Sequence, residues 1–154
     1  MTEHPRGIAR RLVTVTRGGA APGVDAPLDL LGGPDERTRL RAVIRELVDA
    51  TAAMLLHRGG DNPDHLYLLD LRDAEGNEVS VDDLTPPVRA LVRAVLADLN
   101  GRPEDVDVQL ELSVRNEGGD PLSVLVLALL WTVGSLEWCE AHDADPPAWL
   151  AQTA

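Results

Sequence analysis

One cysteine in 154 residues, Cys139, excludes an intramolecular disulfide, so the fold must be held by its packed interior, and the pattern fits a reducing compartment. Phenylalanine is absent, and three Trp and one Tyr are the only aromatics, which leaves Leu, Val and Ala to fill the core. Lysine is absent as well: all 14 basic residues are Arg, a pattern that codon bias would produce and that says little about function. The opening stretch MTEHPRGIARRLVTV lacks the long apolar run and small-residue cleavage pattern of a secretion signal, so a cytoplasmic location is expected. No phosphate-cradling loop and no nucleophile elbow occurs: RGGAAPG and LLGGPDE lack a P-loop lysine and a Rossmann spacing.

What the chain has in excess is negative charge, unevenly placed. Met1–Arg58 carries nine Arg against seven acids, whereas Gly59–Ala154 carries five Arg against 19 acids, for a formal net charge of -12. An acidic body repels phosphates over most of its surface, so direct nucleic acid binding is not expected.

The Pro/Gly-rich composition of residues 1–34 reads as a flexible arm and loop, with Arg10–Thr16 able to contribute one edge strand; residues 35–154 read as a single α+β domain. A helix opens at GGPDE, where Pro34 suits the first turn and the acids favour its positive end. Its apolar stripe is Leu40, Val43, Ile44, Leu47, Val48, Met54 and Leu55. Leu66–Arg72 and Val79–Val81 read as the strands of a hairpin. A second helix opens at Pro86 and Pro87 and closes at Asn100-Gly101. VDVQLELSV, Val106–Val114, alternates like a strand with Asp107, Gln109 and Glu111 on its wet face together with Asp70 and Ser80. The order predicts a two-layer α/β sandwich with the split βαβ, ferredoxin-like βαββαβ arrangement and an extra apolar C-terminal helix.

That last helix is the strongest signal. Pro121–Leu136 is an uncharged run of 16 residues, which spans about 24 Å as a helix, short of the ~30 Å hydrocarbon core, and its flanks are acidic. No membrane span is expected. The segment is apolar all round, so it demands cover on most sides: a homodimer or partner contact through Trp131 or Trp138 is the expected cover, and the alternative is the central core helix of a compact monomer. Trp149 and Leu150, near the end in DADPPAWLAQ, either fold back over this helix or dock into a partner.

Histidines are the natural place to look for chemistry. HRGGDNPDH sets His57, Asp61, Asp64 and His65 around a loop, but Asp-Asn-Pro-Asp is good turn chemistry in its own right. Cys139 and His142 stand three apart and can share a helix face, a low-specificity signal better explained by a small buried apolar residue beside a solvated helix end. The paired carboxylates Asp82-Asp83 and Glu104-Asp105 fit helix ends. No catalytic residue, metal site or cofactor is therefore assigned. The expectation is a non-enzymatic interaction or regulatory protein that binds a protein partner with a basic surface, through an acidic face (Asp107, Gln109, Glu111) or through the segment bearing Trp131, Trp138, Trp149 and Leu150. The alternatives are a small-molecule sensor or minor enzyme with a cleft lined by His57, His65 or His142, and an acidic mimic of DNA.

Overall fold

The computed structural model describes residues 4–18, 36–59, 83–114 and 121–151, together with residues 75, 77 and 80. Among these it has five helices and no strand: α1 (Pro5–Arg17), α2 (Glu36–Gly59), α3 (Pro86–Leu99), α4 (Pro103–Val114) and α5 (Pro121–Ala141). The expected α+β sandwich is overturned by this all-helical architecture. Two of the expected strands are helices outright. The hairpin strands at Leu66–Arg72 and Val79–Val81 lie, Ser80 aside, outside the described residues.

Val106–Val114 shows why alternation misled. In this segment Val106, Leu110, Ser113 and Val114 are buried, a helical spacing, while Val108 and Leu112 are 56% and 46% exposed. A strand would have put all the apolar residues on one side. The helix is favoured by Pro103 in the first position and by Glu104 and Asp105 in the first turn, where carboxylates meet the positive end of the macrodipole. Arg10–Thr16 fails as a strand because its helical stripe begins earlier: Ile8, Ala9, Leu12 and Val13 are all buried. Pro5 opens α1, and the His4 ring accepts a hydrogen bond from the Arg6 amide at 3.1 Å. The β-branched Thr14 and Thr16 are accommodated by donating their hydroxyls back to the Arg10 and Leu12 carbonyls at 2.9 and 2.8 Å.

α2 and α5 form the centre, each packed against all four other helices. α1 lies mainly against these two, and α3 and α4 form an antiparallel hairpin on them. The hairpin turn is a Schellman cap: the Gly101 amide donates to Asp98 (3.1 Å), the Arg102 amide to Ala97 (2.9 Å), and Gly101 takes the left-handed conformation at φ 71°. Across the centre, the buried hydroxyls of Thr51 and Thr132 lie 3.0 Å apart, with Thr132 also 2.9 Å from the Ala128 carbonyl, which satisfies the polar atoms in an otherwise apolar contact.

α5 ends in the same cap with a different residue. The Ala144 amide donates to Cys139 at 2.9 Å, and Asp143 occupies the left-handed position with φ 53°. A non-glycine residue is strained there. Asp143→Gly is therefore expected to stabilise the fold by about 0.5–1 kcal/mol, read as a rise in the urea unfolding midpoint. An unchanged or lowered midpoint would mean that the Asp143 side chain offsets its own backbone strain.

Candidate functional site

The carboxylates expected on a wet sheet face separate once the segment is a helix. Asp107 and Glu111 share one side of α4, four residues apart, and meet Arg45 and Arg41, four apart on α2. Arg45 Nη1 lies 2.5 Å from Asp107 Oδ1, and Arg41 pairs with Glu111. These acids are engaged within the chain, as rungs between antiparallel helices. Gln109 turns to the opposite side and lines the joint between α3 and α4.

The C-terminal segment returns along α1. Arg17 near the end of α1 meets Glu140 at 2.6 Å, and the Arg6 guanidinium near its start stands 5.7 Å from the centre of the Trp149 ring, within cation–π range. Arg6 also pairs with Glu46 on α2 at 3.1 Å. Leu150 is fully buried in the main core, and Trp149 is half-buried against it. Neither is presented to solvent as a free peg.

The other two tryptophans flank the outer side of α5. Val124, Leu125, Ala128, Leu129, Thr132, Val133 and Leu136 face inward and are buried. Outward lie Ser123, Leu130, Gly134 and Glu137, with the half-buried Leu127, Trp131 and Trp138 beside them. Leu130 is 50% exposed, and the space above the Gly134 Cα is open. Trp138 is stacked on His142 with ring centres 4.3 Å apart. The outer side thus has no charge from Leu122 to Leu136. Leu122–Ala141 is long and apolar enough by composition to cross a membrane, with a mean hydropathy of 1.8, yet the inward side described above is that of a core helix.

The histidines sit in different settings. His4 caps α1, and His57 is exposed in the last turns of α2. His142 is exposed with Nδ1 2.9 Å from the Trp138 carbonyl, whereas the Cys139 thiol three residues earlier is buried. Burial pushes that thiol above its ordinary range, and Asp145 and Glu140 add to the shift, so it stays protonated and is a poor nucleophile. His65, Asp61, Asp64 and Asp70 lie outside the described residues. Among the described residues no three His, Cys, Asp or Glu side chains come together as a metal site.

One titratable group stands out. Asp98, half-buried on α3, has its carboxyl pushed up to about 7, first by burial and then by hydrogen bonding and repulsion from Asp49, with Arg45 pulling the other way. Its Oδ2 is buried without a hydrogen-bond partner. Arg45 holds Asp49 at 3.0 Å and Asp107 at 2.5 Å, so one cation serves three carboxyls, none of which opens into a described cavity. This cluster ties α2, α3 and α4 together and is structural.

The surface residues that matter here escaped the sequence pattern. Leu130 and Gly134 were hidden because the helical wheel of α5 shows no polar side to mark what faces out. Val108 and Leu112 were assigned to a buried strand face. No protein-family model, no curated protein and no solved structure matches this chain.

Proposed function

We propose that this protein is a non-enzymatic interaction protein that works as a homodimer, with the outer side of α5 as the contact. The observation that carries this is Leu130, half exposed at the middle of an uncharged helical stripe on a chain of net charge -12. Two copies of so acidic a chain repel each other unless they meet through a surface without charge. The outer side of α5 is such a surface. The open space at Gly134 admits a partner backbone, and the neighbouring Trp131 offers the wide, stiff side chain that anchors protein contacts. Packed about a two-fold axis, the same side of both copies is used, so each Leu130 meets the other copy's stripe.

From Ser123 to Leu136 the uncharged stripe is about 20 Å long, and one helix pair of that length buries an area at the low end for specific complexes. A dissociation constant on the order of 10 µM is expected. Sedimentation velocity of the full chain across that range should show conversion from 16.6 kDa to twice that mass. Leu130→Asp should remain monomeric at every concentration while keeping the helical circular dichroism of the parent, because the residue contributes little to the core. A parent that stays monomeric, or a Leu130→Asp chain that still dimerises, would sink the proposal.

A further inference from the structure

The outer side of α5 carries more than an absence of charge. Its mid-line runs Ser123, Leu127, Leu130, Gly134, Glu137 and Ala141, at intervals of four, three, four, three and four residues. That is the 3.5-residue period by which two helices keep one seam in contact along their whole length. Five of these residues are exposed and Leu127 is half-buried, so the seam is open from end to end.

A projection and a space stand four residues apart on this seam. Leu130 is 50% exposed, whereas nothing from elsewhere in the fold lies within 4 Å of the place a Cβ would take at Gly134. A parallel pair sets like against like: Gly134 faces Gly134 across an unfilled space, and Glu137 faces Glu137 inside the contact. An antiparallel pair centred midway between Leu130 and Gly134 sets each Leu130 against the open space at the other copy's Gly134. The same centre brings Leu127 opposite Glu137 and Ser123 opposite Ala141, so all six positions are used.

We propose that two copies of this chain pair antiparallel along α5, with the two-fold axis between Leu130 and Gly134 and each Leu130 seated over the other copy's Gly134. This register rests on the homodimer reading above and specifies its partner surface residue by residue. Charge selects the same orientation as shape. The two Glu137 carboxylates, side by side in a parallel pair, are about 15 Å apart along an antiparallel seam, beyond the Debye length at physiological salt. Asp143 and Asp145, just past the end of α5, come to lie beside the first turn of the other copy's α5, where the macrodipole is positive. The seam is thus complementary to itself, in one orientation and one register.

The test is cross-linking of the full chain by a short bismaleimide, at a concentration well above the dissociation constant. Cys139→Ala removes the single native thiol, and Ser123→Cys and Ala141→Cys are then made separately, both at exposed positions at the ends of the seam. In the antiparallel register these two sites are neighbours, while each lies about 27 Å along the seam from its own counterpart. Covalent dimer should therefore form at least about tenfold more in the mixture of the two chains than in either chain alone. A parallel pair reverses the pattern, each chain linking to itself, and overturns the proposal; equal linking in all three samples overturns it as well. Sedimentation velocity of the same chains without the linker separates this register from the reading it rests on. A dimer whose mixture does not link overturns the register and leaves the homodimer standing. A chain that stays monomeric removes both, and leaves the outer side of α5 to a different partner.

Discussion

Replacing Leu150 by Ala is expected to cost about 2–4 kcal/mol of unfolding free energy. Leu150 is fully buried, within the same apolar cluster as Leu12, Leu47 and Leu129. Truncation to Ala removes most of a buried side chain and leaves a space that neighbours fill only in part. The loss should appear in chemical denaturation as a lowered midpoint with an unchanged slope.

The same substitution carries a second expected effect, on dynamics. The returning tail meets α1 through Trp149 beneath Arg6, just beyond the place where Glu140 at the end of α5 pairs with Arg17. Loss of the Leu150 anchor should therefore raise amide exchange in α1 before it raises exchange in the central helices α2 and α5. If the tail were instead a detachable peg for a partner, Leu150→Ala would leave both the midpoint and α1 exchange as they are in the parent.

The helices at 36–59 and 86–99 were legible in the sequence because each combines a proline or acidic opening with a sustained helical stripe, and α3 closes on Asn100-Gly101. The error at 106–114 came from a different balance. Val108 and Leu112 supplied a perfect alternation, yet only Val106, Leu110 and Val114 of the apolar set are buried. The decisive local cue is Pro103 followed by Glu104 and Asp105, a helix opening that the alternation hides. At Arg10–Thr16 the β-branched residues obscured a stripe that starts at Ile8. The candidate surfaces were less legible than the elements. Which side of an all-apolar helix faces out depends on where its neighbours pack, and α5 exposes Leu130 because α1, α2 and the α3–α4 hairpin occupy its other sides.

The stability of this fold should fall as pH rises through neutrality, and Arg45→Met should deepen that fall. Asp98 titrates at about 7 in the folded chain against 3.8 for an unperturbed group, because burial and the neighbouring Asp49 disfavour its charged form. A carboxyl whose folded pKa is raised binds its proton more tightly in the folded than in the unfolded state. Its stabilising contribution is thus complete below about pH 4 and is lost progressively until pH passes 7. Because solvent reaches part of the group and screens it, the loss from this site is about 1–2 kcal/mol rather than the full value of the shift. Asp98→Asn should remove that loss, making the variant more stable than the parent at pH 8 and little different near pH 4. Arg45 acts in the opposite direction: it is the cation facing Asp49, Asp98 and Asp107, and its own pKa is raised by these acids although burial works against its charge. With Met at position 45, three carboxyls are left to repel one another, at an expected cost of about 2 kcal/mol at pH 8 that shrinks as Asp98 protonates. Introducing Asp98→Asn into the Arg45→Met chain should then recover about half of that cost, as one of the three charges disappears. Urea unfolding of the four chains at pH 5 and pH 8 decides the matter. If Arg45→Met is equally destabilising at both pH values, packing of the arginine stem rather than its charge holds α2, α3 and α4 together.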